Sequence, residues 1–276
     1  MAVGLARNGG KMSKEHSEET ILSVRKLSVT RSGVEVLDNI SFDIRRGEFV
    51  GLVGPNGSGK TTLLLSILGV LKPLEGDVLV FGHVPACKHN LGMVGWVPQA
   101  ATQLPNNIHI TVRELIRLGT LNQDNYLWRL MSSGMRERVE MSLEMVGLTE
   151  MADVDVSRLS GGQLQRAVIG RALASESELI LLDEPLVGVD RASRNSLLRL
   201  LDDLCHNHGK TILMVSHDLT AVTQATHRIV YLEGGIQYDG PTGGLPDLSE
   251  LANLRGIEHV HSVSAPSWGE ITSGGE

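Results

Sequence analysis

The sequence predicts an α/β fold with a mostly parallel central sheet, an N-terminal antiparallel β subdomain and an inserted α-helical subdomain. Three observations predict it. Residues 178–183 (ELILLD) and 210–216 (KTILMVS) are continuous apolar runs, the pattern of strands covered on both faces by helices. Residues 21–29 and 34–44 instead alternate apolar and polar side chains about a Ser32-Gly33 turn, the period of antiparallel strands. Residues 111–118 and 136–146 carry apolar side chains at helical spacing, inside a stretch of different texture at about 100–158.

In chain order, residues 1–20 are polar, mixed in charge and aperiodic, and read as a mobile arm. Past the antiparallel region, residues 48–53 (EFVGLV) read as a buried strand and 62–68 as a helix, with GPNGSGKT between them. Residues 72–76 form a turn and 77–82 another strand. A short strand over 93–99 stops at Pro98, which has no N–H for the ladder and leaves Gln99 at the head of a loop. The methionines of the insertion, Met131, Met135, Met141 and Met145, read as core filler. An Arg/Leu-rich helix spans about 191–207, and a hairpin with a Gly234-Gly235 turn covers 228–238. One domain thus covers 21–256, and residues 257–276 read as a disordered tail.

The chemistry begins at Gly54-Pro55-Asn56-Gly57-Ser58-Gly59-Lys60-Thr61, which fits G-x-x-x-x-G-K-[ST]. A loop of backbone N–H groups that ends at a helix N-terminus presents donors and a positive dipole end to a polyphosphate. Glycines let the backbone turn that tightly. Lys60 should reach the β- and γ-phosphates as a point charge, and the Thr61 hydroxyl should sit on the Mg²⁺ that bridges them, with Thr62 next in the helix. Strand, loop and helix come in the order of a P-loop NTPase.

Further motifs narrow the reading: VPQ at 97–99, LSGGQ at 159–163, LILLDEP at 179–185, GVD at 188–190 and SHD at 216–218. With these in this order, the sequence resembles the nucleotide-binding subunit of ATP-binding cassette (ABC) transporters, over about residues 21–256. Asp183 ends a buried strand, where ligands bind in open α/β sheets and a carboxylate can hold Mg²⁺. The resemblance implies that Glu184 orients and polarises the attacking water, that His217 contacts the γ-phosphate, and that Gln99 senses Mg²⁺ and water at the entrance of the helical insertion. Ser160, Gly161, Gly162 and Gln163 open a helix whose N-terminus is a second anion site. In the family two cassettes pair head to tail, so Ser160 of one copy faces the γ-phosphate held by Lys60 of the other, and a two-fold dimer with two composite sites is implied. Where the family carries an aromatic residue against adenine, this sequence has Arg31. An arginine plane can stack on a base, and an exposed turn charge is the other reading.

Composition excludes several classes. Aromatic residues make up 3% of the 276 residues and the formal charge is −7, which argues against a nucleic-acid partner. Cys87 and Cys205 lack metal-knuckle spacing and fit a reducing compartment. The longest apolar run falls short of the roughly 18 residues that a membrane helix needs, so a membrane role requires a partner. The resemblance implies a polytopic permease on the cytoplasmic face of the membrane, with an extracytoplasmic solute-binding protein. The details of residues 95–99, 110–119, 183–190 and 216–219 look like the subgroup serving zinc and manganese importers. A single-cassette ATPase of cofactor assembly, and a nucleotide-binding subunit without turnover, are the alternatives. The His206/His208 and His259/His261 pairs read as incidental, and no tight zinc site is expected from them.

Overall fold

The computed structural model describes residues 19–102, 109–121 and 133–245. The expected arm, apart from its last two residues, and the expected tail lie outside the described residues, as do Met131 and the His259/His261 pair.

Among the described residues the strands are β1 (Thr20–Arg31), β2 (Val34–Arg45), β3 (Phe49–Val53), β4 (Glu75–Val80), β5 (Val94–Val97), β6 (Leu179–Asp183), β7 (Thr211–Ser216), β8 (Arg228–Leu232) and β9 (Ile236–Pro241). The helices are α1 (Lys60–Ile67), α2 (Val112–Arg117), α3 (Ser133–Met145), α4 (Gly161–Leu173), α5 (Arg191–His206) and α6 (Leu219–Ala225). The strands form a six-stranded sheet ordered β5-β6-β7-β3-β8-β9 and a three-stranded sheet ordered β2-β1-β4.

The apolar runs predicted to be central strands are central. β3 runs parallel to both β7 and β8, and β6 runs parallel to β5 and β7; only β9 is antiparallel, to β8. Alternate residues of these strands feed two cores, as the period of a strand requires. Phe49, Val53, Ile180, Leu182, Ile212 and Met214 face the core shared with α2 to α6. Val50, Leu52, Leu179, Leu181, Leu213 and Val215 face the core shared with α1 and the antiparallel sheet. This sandwiching explains why the central strands carry no polar alternation while β1 and β2 do.

The insertion is helical, as its period predicts. α2 opens with a capping box in which the Thr111 side chain accepts from the Glu114 N–H and the Glu114 carboxylate accepts from the Thr111 N–H. Met135 is buried there, but Met141 is 44% exposed, so the core-filler reading fails for it. The first helix begins at Lys60 rather than at Thr62, because Gly59, with φ of 94°, turns the chain directly into it.

Register fixes where the loops converge. Val53 pairs with Ser216, and Asp183 with Val215, so β3, β6 and β7 end side by side. Their C-terminal ends carry Gly54, Asp183 and His217 to one edge of the sheet.

Candidate nucleotide site

The loop after β3 is shaped by its glycines for two reasons. Gly57 and Gly59 have φ of 84° and 94°, the left-handed region that side chains disfavour. Gly54 is needed for space, since a Cβ there would stand 2.1 Å from the Leu232 carbonyl oxygen. Behind the loop, the Ser58 hydroxyl oxygen is buried with no hydrogen-bond partner among the described residues.

Lys60 lies at the start of α1, 6% exposed, and its Nζ donates to the carbonyls of Gly54 and Pro55 at 2.8 Å each. The ammonium thus folds back over its own loop. Burial pushes its pKa down, and the charges of Glu184 and Asp183 oppose that shift. Thr61 Oγ1 lies 3.1 Å from Asp183 Oδ2 and donates to it. Asp183, 4% exposed at the end of β6, has its pKa pushed up by burial; the Thr61 hydrogen bond and Lys60 work against this, and Glu184 adds to it.

Glu184 does not continue the strand. Its φ is +52°, a region that costs a non-glycine residue about 1–2 kcal/mol, and the following Pro185 restricts it further. A hydrogen bond from its N–H to the Val215 carbonyl at 3.0 Å holds the turn. The turned carboxylate meets His217, with Oε2 at 2.9 Å from Nδ1.

These groups line one cavity of about 440 Å³, with Arg31, Asn56, Gly57, Gly59, Thr62 and Gln99 also on its wall. Val36, Val187 and Val215 line it too, and the sequence reading missed them. Val36 lies on β2, four residues beyond the turn that carries Ser32, and its alternation could have placed it on the same side as Arg31. The last motif is elsewhere: Ser160, Gly161, Gly162 and Gln163 are absent from this wall. Ser160 caps α4, its Oγ accepting from the Gln163 N–H at 3.3 Å, while Gln163 Oε1 accepts from the Ser160 N–H at 2.9 Å. This end of α4 packs against the 188–190 loop and α5. A Cβ on Gly161 would lie 3.2 Å from the Gly188 carbonyl, and one on Gly162 would lie 2.6 Å from Ser193 Cβ.

A glycine-rich loop at a helix N-terminus, a lysine within it, and two acids and a histidine on neighbouring strand ends define a P-loop nucleotide-hydrolysing protein. The ABC transporter family model matches residues 37–187. Over 220 residues the chain is 36% identical to the zinc uptake system ATP-binding protein ZurA of Listeria innocua, covering 80% of this chain and 85% of that one. It is 37% identical over 259 residues to the zinc import ATP-binding protein ZnuC of Chromohalobacter salexigens, covering 89% and 98%. A dimeric post-hydrolysis state of an ATP-binding cassette bound to ADP and Pi superposes with a TM-score of 0.67 at 29% identity, covering 81% of this chain and 100% of that one. The chain belongs to the ABC transporter family and is its ATP-hydrolysing cassette. No helix among the described residues is long and apolar enough to cross a membrane.

Proposed function

We propose that this chain energises the import of a divalent metal ion, zinc or manganese, or of a metal chelate, by hydrolysing ATP beneath a membrane permease. The observation that carries the reading is the single cavity uniting Lys60, Asp183, Glu184 and His217 in a chain whose relatives are named for zinc uptake. The permease, a solute-binding protein and a position on the cytoplasmic face of the membrane go with that reading.

The residues divide the work by their chemistry. The backbone N–H groups of the Gly54–Thr61 loop, among which Pro55 has none to give, hold the β- and γ-phosphates together with Thr62, and Lys60 leaves its two carbonyl partners to reach them. Arg31, on the cavity wall beside Val36, stacks on the adenine. The Thr61 hydroxyl and Asp183 carboxylate, 3.1 Å apart, form a hard oxygen pair that fits Mg²⁺, with Gln99 nearby on the same wall. Held by these oxygens, Mg²⁺ would supply neutralisation of phosphate charge. Glu184 takes the proton of the attacking water at its carboxylate. His217 holds that carboxylate through Nδ1 and leaves Nε2 to face the γ-phosphate. Ser160, Gly161, Gly162 and Gln163 close the site on a second copy of the chain, where the α4 N-terminus adds donors to the γ-phosphate.

Uptake of radioactive zinc and manganese tests the transport reading. Cells carrying the intact chain should accumulate one of these ions, and cells carrying Glu184→Gln should lose that uptake. Intact uptake of both ions in the Glu184→Gln cells, or co-purification with soluble partners only, would sink it.

A further inference from the structure

We propose that Asp202, His206 and His227 form a binding site for a zinc-class divalent ion at the end of the central sheet remote from the nucleotide. One donor atom from each of the three lies within 4.8 Å of the other two. Around zinc, with bonds of about 2.1 Å in a tetrahedron, donors stand roughly 3.4 Å apart. All three side chains are exposed, so small rotations bring their donors to that spacing. Two imidazoles and a carboxylate are a borderline donor set that suits zinc and its neighbours better than Mg²⁺.

The carriers of these side chains are fixed, and the exposed side chains already meet one another, with His206 Nδ1 also 3.0 Å from the Asp202 carbonyl oxygen. Asp202 and His206 stand one turn apart on α5, with Oδ1 at 3.1 Å from Nδ1. The end of α5 is tied to the turn between β2 and β3, where the Cys205 thiol donates to the Gly47 carbonyl at 3.0 Å. His227 comes from a different element, the junction of α6 and β8. Its N–H donates to the Phe49 carbonyl and its own carbonyl accepts from the Thr242 N–H, both at 3.1 Å. The His206 and His227 rings approach edge to face with centroids 4.9 Å apart. His208, the other half of the sequence pair, turns instead to Asp203, at 3.6 Å. The grouping therefore joins two histidines 21 apart in sequence, and no H-x-H pattern announces it.

Position separates this site from hydrolysis. Arg228 pairs with Val50, so His227 precedes β8 at the N-terminal ends of the parallel strands, whereas Lys60, Asp183 and His217 follow the C-terminal ends. A five-residue strand puts roughly 16 Å between the two edges.

Calorimetric titration of zinc chloride into the full chain should show one ion per chain. His206→Ala and His227→Ala should each weaken binding by about tenfold or more, the scale of losing one ligand contact or its support. His208→Ala should leave it unchanged. Cobalt(II) in place of zinc should give visible absorption bands that vanish in the same two variants. ATP turnover of His227→Ala, equal to that of the intact chain, shows that the variant is folded. Zinc binding that survives intact in the His206→Ala/His227→Ala double variant, or no saturable binding at all, would overturn the site.

Discussion

The phosphate-loop half of the cassette gathers Lys60, Thr61, Asp183, Glu184 and His217 around one cavity, while the Ser160-to-Gln163 half stands outside that cavity and satisfies its own hydrogen bonds. The first half is held by strand register and by a strained backbone at Glu184, and its charged groups already perturb one another. The second half is a capped helix end with an exposed serine, braced by Gly161 and Gly162 against the 188–190 loop and α5. What distinguishes them is the supply of ligand. One half has a nucleotide cavity in its own chain, and the other offers helix donors to a surface that a second cassette would bring.

The largest effect belongs to the completed half. Glu184→Gln keeps the shape and the hydrogen bond to His217 but removes the basic carboxylate. ATP hydrolysis, followed by phosphate release, should fall about 10²–10⁴-fold while nucleotide binding persists. Near-normal turnover would remove Glu184 as the base.

Mixing variants sharpens the contrast next. Lys60→Ala should bind ATP weakly and hydrolyse little, and Ser160→Arg should obstruct the α4 N-terminus from its exposed position. If each site takes one half from each chain, a mixture of the two inactive proteins contains dimers with one intact site. Activity should reappear on mixing. Two halves serving the same chain would leave the mixture as inactive as its parts.

The strands and the phosphate loop were legible in the sequence because burial on both faces writes a continuous apolar run, and because the loop chemistry admits few residue types. The order of motifs placed Asp183, Glu184 and His217 near one another, but only the register of β3, β6 and β7 brings them to one edge. Two things were not legible. The positive φ at Glu184 is set by tertiary contacts, since the following proline favours extended backbone there. The meeting of His206 with His227 comes from the packing of α5 against α6, whose end leads into His227, and no local pattern encodes it.

Asp183→Asn carries a smaller, two-sided effect. The pKa of Asp183 is raised by burial, so the folded chain holds that proton more tightly than the unfolded one. Its stabilising contribution is complete below the ordinary carboxylate range and is lost as pH rises through the raised value. At neutral pH the ionised group therefore burdens the nucleotide-free fold. Asp183→Asn should melt at a higher temperature than the parent at pH 7, and the gap should close towards about pH 4. Hydrolysis should meanwhile fall about 10²-fold or more with the loss of the anionic oxygen. A melting temperature lowered at pH 7 would contradict this account of Asp183.

Ser160 gives the smallest effect, and it separates the helix cap that the second half shows from the phosphate contact proposed for it. As the N-cap of α4, its hydroxyl accepts from the Gln163 N–H, so Ser160→Ala should cost about 1 kcal/mol of stability. If it also donates to the γ-phosphate of a second copy, the same hydroxyl would supply one hydrogen bond to a charged group, worth about 1.5 kcal/mol, or roughly tenfold in turnover. Ser160→Asp breaks this coincidence. Aspartate caps a helix as well as serine does, so the melting temperature should stay at or above that of the parent. Its negative charge would face phosphate in the paired cassette, so turnover should fall further than in Ser160→Ala. If Ser160→Asp instead kept full turnover with full stability, Ser160 would be a helix cap and nothing more.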